Sequence, residues 1–161
     1  STFEGFATRE VFDVVWVIHT HYYFASVSAG LERASRLVAP GGRLILAAAP
    51  RGALNRLAQA FWSDHAADAL WFAEEIASFL ESTGRPVART RIDARLDVTA
   101  CFGGAPRGDA IRDFVVQAEV SARPGPRDWV DGQLRAMGRE EADGRWTVPH
   151  PVDLFELAPA G

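Results

Sequence analysis

The most regular pattern in the chain is an apolar run, a helical stripe and a second apolar run within residues 12–50. Residues 12–18 are almost all apolar, which predicts a strand buried on both faces, as in a parallel sheet. Over residues 27–38 apolar positions recur at steps of three and four, which predicts an amphipathic helix. Pro40-Gly41-Gly42 is expected to end that helix, and residues 43–49 predict a second strand. The three parts form a βαβ unit, whose right-handed crossover implies a parallel pair.

Downstream of residue 50, segments with a helical pattern of apolar residues are followed by segments with a strand pattern. Apolar residues at helical steps predict helices over 51–62, 67–83, 108–120 and 128–137, with Gly84 capping the second and a break at residues 124–126. Alternation predicts a half-buried strand over residues 86–98, and the last apolar run predicts a final strand over residues 152–157. The five tryptophans are assigned to packing, and Cys101 to a small buried position.

Composition narrows the class of protein. With 161 residues and 48% hydrophobic content, the chain is expected to build a single core. A net charge of -4 gives no basic surface, so nucleic acid is not an expected partner. One cysteine cannot form an internal disulfide, and no apolar run is long enough to cross a bilayer. These features predict a cytoplasmic protein without a membrane partner.

The motifs resemble a known family. FDVVW, RLVAPGG and RLILAAAP resemble the fourth strand, the following helix and the fifth strand of class I S-adenosylmethionine-dependent methyltransferases. VIHTHYYF, LDVTACF, GDAIRDFVVQAEV and VPHPVDLFEL are similar, in order and spacing, to the C-terminal half of the histamine N-methyltransferase branch. The resemblance implies an α/β, Rossmann-like sheet of mostly parallel strands, with helices on both faces and an antiparallel last strand.

The resemblance also implies an incomplete cofactor site. In this fold S-adenosylmethionine sits on a glycine-rich loop and on an acidic residue ending the second strand, and both precede the matched part. No glycine-rich strand-to-helix turn stands before Phe12–Ile18. Residues 1–161 are therefore predicted to be a partial domain. We expect a second chain, either the upstream half or a second copy, to pair with Phe12–Ile18, because a bare apolar edge templates association.

Several candidate site residues follow the first strand. Ile18 matches a position that contacts the adenosine side of the cofactor. His19 stands where the histamine enzymes carry a substrate-binding glutamine, and an imidazole there would suit a general base. The alternative is a loop histidine that only satisfies backbone groups. Tyr22 and Tyr23 match pocket aromatics that offer a cation a π face, although core packing is the alternative for Tyr23.

Three further substrate-binding candidates come from later in the chain. Phe114 matches another pocket aromatic, and His150 falls where the family has a substrate-binding asparagine. Leu54 replaces a pocket tryptophan, so the small-molecule substrate should differ from histamine. His19 and His21 alone provide too few ligands for a metal, so no metal site is predicted.

Two functions compete at this point. The chain is either the downstream part of a small-molecule N- or O-methyltransferase, or a non-catalytic methyltransferase-like module that binds a ligand or a partner. A glycine-rich half supplied from elsewhere favours the enzyme.

Overall fold

The chain alternates between strands and helices. A computed structural model describes residues 3, 5–62 and 71–158. The described elements are β1 (Phe12–Ile18), α1 (Val27–Arg36), β2 (Val38–Ala48), α2 (Ala53–Trp62), α3 (Ala73–Ser82), β3 (Val87–Ile92), β4 (Arg95–Asp97), α4 (Pro106–Val116), α5 (Pro124–Met137), β5 (Arg139–Glu140), β6 (Trp146–Pro149) and β7 (Val152–Leu157), with 3-10 turns at His21–Tyr23 and Thr99–Phe102. Residues 67–70 of the predicted second helix lie outside the described part.

The chain divides into two compact units. The described residues of the first unit fall within Ser1–Pro50, Ala69–Ile92 and Val152–Gly161, and those of the second within Arg51–Asp68 and Asp93–Pro151. Each unit has its own cluster of buried apolar side chains. Composition predicts one core, whereas the described residues form two, because two separate sheets each collect their own helices.

The first unit contains a four-stranded sheet in the order β1-β2-β7-β3. β1 and β2 are parallel, whereas β7 is antiparallel to both β2 and β3. Three strands therefore run one way and the last strand of the chain runs the other. This confirms the predicted mixed α/β class, a mostly parallel sheet with an antiparallel last strand.

Both helices of the first unit pack on one face of this sheet. Leu31 of α1 and Ile76 of α3 share a buried cluster with Val17, Leu46 and Phe155, which are cross-strand neighbours. In the described part of this unit, helices cover one face rather than the two that the resemblance implies.

The other face of β1 is exposed, so the expectation of a strand buried on both faces is wrong for the described chain. Val14 is 38% exposed, Trp16 59% and Ile18 47%, against 4% for Val17. The physical reason is that both helices of this unit pack on the face of Val17, and no described helix of the unit covers the face of Val14, Trp16 and Ile18. Trp16 is accordingly not a packing residue in this unit, although its apolar character is typical of one.

The Pro40-Gly41-Gly42 segment lies inside β2 instead of ending the helix. α1 already stops at Arg36, with Leu37 as its C-cap, and Val38 begins the strand. Phe12 pairs with Val38 but Val14 pairs with Arg43, so the intervening residues of β2 form a bulge. Gly41 occupies it with a φ of +79°, a left-handed conformation that favours glycine.

The second unit contains a three-stranded antiparallel sheet in the order β4-β6-β5. The single strand predicted over residues 86–98 is wrong, because β3 and β4 belong to different sheets. β3 ends at Ile92, paired with Val152, and β4 starts at Arg95, paired with Pro149.

The helices of the second unit also differ in their bounds. Pro124 is the first residue of α5 instead of marking a break, because a proline at the first helical position loses no hydrogen bond. α4 ends at Val116, since Gln117 adopts a left-handed cap with a φ of 53°. Among the described residues, no helix has the length and apolarity needed to span a bilayer.

Gly108 supports a test of the second unit. A Cβ atom built on Gly108 would lie 2.2 Å from the backbone carbonyl oxygen of Ala100, whereas one on Gly132 of α5 meets nothing within 4 Å. We predict that Gly108→Ala destabilises the protein by about 1–3 kcal/mol through overpacking. Gly132→Ala, the matched control, should stabilise it by roughly 0.5–1 kcal/mol. Urea unfolding measures both, and equal effects of the two substitutions would contradict the packing.

Candidate functional site

The turn after β1 begins with a strained residue. His19 has a φ of 47°, which is rare outside glycine, and its N–H donates to the Ala47 carbonyl at 3.1 Å. This bond ties the end of β1 to β2, so the strand terminates at a fixed point. The chain then reverses into the 3-10 turn His21–Tyr23. Such strain persists where the surrounding contacts over-determine the backbone, and it is common at ligand sites.

The direction of the turn is fixed by packing behind it. Ser26 caps α1, its hydroxyl accepting from the Ala29 N–H at 3.3 Å. The Phe24 ring lies against Gly30 so closely that a Cβ there would come within 2.2 Å of the ring. Phe24 also stacks on Phe3, with ring centroids 4.9 Å apart. These contacts hold the segment between β1 and α1 in one conformation.

Four of the predicted site residues lie at the end of β1 or in this turn. Ile18, Tyr22 and Tyr23 are exposed, and His19 is half-buried. The rings of Tyr22 and Tyr23 meet edge to face at 4.6 Å. Partial burial lowers the pKa of His19 below its usual value. Partial burial, followed by the neighbouring Tyr23, raises the pKa of Tyr22.

His21 is the residue whose position the sequence does not indicate. It is 3% exposed, and Nε2 lies 2.8 Å from the Trp71 carbonyl oxygen, an acceptor that requires Nε2 to carry the proton. Burial is the main cause that lowers the pKa of His21, with the charge of His19 adding to it and the Trp71 carbonyl opposing it. His21 is therefore a buried neutral histidine joining the turn to the residues before α3. His19 and His21 lie two residues apart but differ in burial, since His19 is half-buried and His21 is buried.

The remaining predicted site residues belong to the second unit. Leu54 is buried in the apolar cluster of that unit, on α2. Phe114 on α4 is 63% exposed. His150 follows β6, is half-buried, and its backbone N–H donates to the Ala94 carbonyl at 2.8 Å. The role of these three residues in substrate binding stays a prediction from the resemblance.

An ion-pair network lies at the carboxyl ends of β2 and β3. Asp153 of β7 has a fully buried side chain beside Ala48 and accepts hydrogen bonds from both Arg89 and Arg91. The Arg91 Nε lies 2.7 Å from Asp153 Oδ1. Hydrogen bonding, led by Arg91, lowers the pKa of Asp153 despite the burial that opposes it. From the alternating pattern of residues 86–98, the arginines are predicted only to face solvent. Nothing in that pattern indicates that Arg89 and Arg91 pair with the buried Asp153.

A cavity of the first unit lies away from the predicted site residues, and the described residues contain no cluster of metal ligands. One cavity of about 480 Å³ in the first unit is lined by Trp71, Glu74, Glu75, Ser78 and Phe79, none of them a predicted site residue. Within the described part of the chain, no group of three or more His, Cys, Asp or Glu is arranged to hold a metal ion.

Comparisons with known proteins place the fold. No family model matches the sequence, and no curated protein matches it significantly. Solved structures do match. The YcgJ protein from Bacillus subtilis superposes with a TM-score of 0.59 at 13% identity, covering 100% of this chain and 70% of that one. A candidate methyltransferase from Bacillus halodurans matches with a TM-score of 0.53 at 14% identity, covering 99% and 70%. A SAM-dependent methyltransferase from Geobacter sulfurreducens, in complex with S-adenosyl-L-homocysteine, matches with a TM-score of 0.50 at 15% identity, covering 99% and 63%.

These similarities define the class of fold. The chain has the mixed α/β, Rossmann-like fold seen in class I S-adenosylmethionine-dependent methyltransferases. At 13–15% identity these matches show the architecture alone, because one fold hosts many different activities.

Asp153 provides a test of the electrostatics at this end of the sheet. Because its pKa is lowered in the folded state, Asp153 stabilises the protein above the pKa of an unfolded aspartate, about 3.9, and the contribution is lost as the pH falls below that. We predict that Asp153→Asn lowers the free energy of unfolding at neutral pH by roughly 1–2 kcal/mol, since its charged hydrogen bonds reach half-exposed arginines.

The pH dependence separates this effect from simple loss of packing. The difference between Asp153→Asn and the parent chain should shrink between neutral pH and the acid range, measured by urea unfolding at each pH. Glu32→Gln, which removes an exposed 3.9 Å ion pair with Arg36, is the control and should change little. A difference that stays constant with pH would contradict the assigned role of the carboxylate.

Proposed function

We propose that this chain is the downstream part of a small-molecule S-adenosylmethionine-dependent methyltransferase, completed by a segment that pairs with β1. The observation that carries the proposal is a fixed turn with polar and aromatic side chains at the carboxyl end of β1, in a fold used by such enzymes. Open α/β sheets bind their ligands at the carboxyl ends of the strands. The proposal therefore assigns the chemistry to the turn after β1.

The residues present fit S-adenosylmethionine in part. Ile18 is 47% exposed at the strand end and offers apolar surface to the adenosine side. Asp153 does not offer a free carboxylate for the ribose, since it is paired with two arginines. The Geobacter sulfurreducens protein of the same fold holds S-adenosyl-L-homocysteine, which supports this cofactor. Binding is accordingly incomplete in this chain alone.

His19 is the proposed general base. The cofactor supplies an electrophilic methyl group when bound, and the methyl acceptor must present a lone pair in line with it. A protonated amine has none until it loses a proton. His19 is half-buried with a lowered pKa, so the imidazole is neutral near pH 7 and can accept that proton.

The aromatic residues of the turn indicate the substrate class. Tyr22 and Tyr23 are exposed and their adjacent rings offer π faces to a cation, which suits an amine-bearing small molecule. We further propose that Leu54, Phe114 and His150 take part in substrate binding in the completed enzyme, as the resemblance implies, and that Leu54 selects against histamine. The net charge of -4 supports a small molecule in preference to nucleic acid.

A non-catalytic ligand- or partner-binding module is the second candidate. The open apolar edge of β1 favours it, because that edge would bind a partner whether or not a methyl group is transferred. Cofactor binding by the completed protein discriminates between the two functions.

Calorimetry with S-adenosyl-L-homocysteine tests the division of the cofactor site. We predict no binding at micromolar strength by the 161-residue chain alone, and micromolar binding once the polypeptide encoded directly upstream of it is added in trans or fused. The reason is that most of the contacts to the cofactor are expected from the missing strands. Micromolar binding by the chain alone would contradict the proposal, and no binding in either state would favour the non-catalytic module.

His19→Gln in the completed protein tests the base. Glutamine keeps a hydrogen-bonding side chain but cannot take up a proton, so turnover of an amine acceptor should fall by roughly 10²–10⁴-fold. In the parent enzyme the rate should fall as the pH drops through the lowered pKa of His19, below 6.5, and this inflection should vanish in the variant.

The control for this test is Arg36→Gln, on the solvent side of α1, which should keep both the rate and the pH profile of the parent. An unchanged pH profile in His19→Gln would remove His19 from the chemistry.

A further inference from the structure

A charged cavity lies on one face of the sheet β4-β6-β5. Its volume is about 480 Å³, and six of the eight described residues that line it are charged, namely Arg95, Asp97, Arg139, Glu141, Asp143 and Arg145. All of them belong to the second unit. The volume is that of a small-molecule site, but such sites are lined mostly by apolar side chains. A ligand of this cavity should therefore be recognised by its charges.

A buried threonine orders two of the charged side chains. Thr147 is 4% exposed, and its strand partners are Asp97 on β4 and Arg139 on β5. Its hydroxyl accepts from Arg95 Nε at 2.8 Å and donates to Glu141 Oε1 at 2.6 Å, and its carbonyl accepts from Arg95 Nη2 at 3.0 Å. Because these bonds already hold the arginine and the carboxylate in place, less side-chain freedom would be lost when a ligand binds.

Two arginines share one carboxylate in this cavity. Arg95 Nε and Arg139 Nε both lie 3.1 Å from Glu141 Oε1. One carboxylate neutralises one guanidinium, so this end of the cavity carries an excess positive charge. The contact with Glu141 uses only the Nε of Arg139, and its two Nη groups have no hydrogen bond to a described residue. Such a fork of N–H groups binds a carboxylate through two parallel hydrogen bonds.

The other end of the cavity carries an acid without an ion pair. Asp97 accepts from the Thr99 N–H at 2.9 Å, and it forms no ion pair with a described residue. Its pKa is lowered first by the hydrogen bonds to Thr99, and more weakly by the distant charges of Arg145 and Arg107. Arg145 itself donates from Nε to Asp143 at 2.7 Å. Asp97 therefore presents a negative charge that no described ion pair neutralises.

We propose that this cavity binds a small dipolar molecule, with its carboxylate at Arg95 and Arg139 and its amine at Asp97. Each end has an excess of a single charge, which fits one carboxylate and one ammonium group better than a phosphate dianion. Asp97 and Arg139 flank Thr147 on the two neighbouring strands, so their backbones lie two strand spacings apart, about 10 Å. The two charges of the ligand should therefore be separated by several bonds. The inference does not rest on the proposed function, because it concerns a different set of residues.

Titrations with three probes of similar size test the charges of the ligand. γ-Aminobutyrate carries both charges, butyrate only the carboxylate and butylamine only the ammonium. Binding to the 161-residue chain is followed by the amide chemical shifts in NMR spectra. Asp97→Asn removes the negative charge but keeps the oxygen that accepts from Thr99, and Arg139→Gln removes the excess guanidinium. Arg43→Gln, which breaks an exposed 3.0 Å ion pair in the first unit, is the matched control.

The expected result is that γ-aminobutyrate binds roughly tenfold or more tightly than butyrate or butylamine, with saturable shifts at Asp97 and Thr147. Asp97→Asn should reduce this affinity to that of butyrate, and Arg139→Gln to that of butylamine, whereas Arg43→Gln should leave it unchanged.

Four results would overturn the inference: no saturable shift with any probe, saturable shifts only outside residues 93–97 and 139–147, equal affinity for γ-aminobutyrate and a singly charged probe, or undiminished affinity in both variants. The readout involves neither the cofactor nor methyl transfer. Its failure would therefore leave the proposed methyltransferase standing, and failure of the cofactor titration would leave this site standing.

Discussion

The parallel pairing of β1 with β2 is the constraint on which the rest of the first unit depends. Its register puts Val17 beside Leu46, so that both side chains enter the cluster under α1 and α3. The same register puts Trp16 beside Ile45 on the other face. Because side chains alternate along a strand, a one-residue shift would bury Trp16 and expose Val17, so the register fixes which face is covered. It also brings the ends of β1 and β2 together, where His19 bonds to Ala47.

The site inherits its geometry from that pairing. A left-handed His19 is costly, and it persists because the strand end is held on one side by β2 and on the other by the packing of Phe24 against Gly30. Once His19 turns the chain, His21 is carried inward to the Trp71 carbonyl while the tyrosines stay exposed. A buried histidine that holds the turn and a half-buried histidine with an available imidazole thus arise two residues apart. The proposed chemistry uses the second and relies on the first for position.

Local sequence patterns predicted several helices and strands of this fold, but they did not predict how the strands pair or which side chains are buried. The helical stripe through Val27, Leu31 and Ala34 gave α1, and β7 has the predicted bounds because its apolar run is short and flanked by Pro151. The sequence pattern predicted neither the bulge at Gly41 nor the split between β3 and β4. Both depend on which strands pair with each other, and the sequence pattern does not contain the pairing partners. Trp16 fails for the same reason, since its exposure depends on which elements pack on each face of the sheet. Asp153 and His21 gave no signal, because a buried polar residue is recognised only once its partner is placed.

The central claim is that this sheet continues beyond β1 into another segment. Hydrogen exchange of the β1 amides tests this claim most directly. In a strand paired on one side, only part of its backbone N–H groups is bonded. The account predicts that the isolated chain shows alternating fast and slow exchange from Val14 to Ile18, and that every amide of this stretch becomes slow in the presence of the upstream polypeptide. Uniformly slow exchange in the isolated chain at high dilution, or alternation that survives in the mixture, would contradict it.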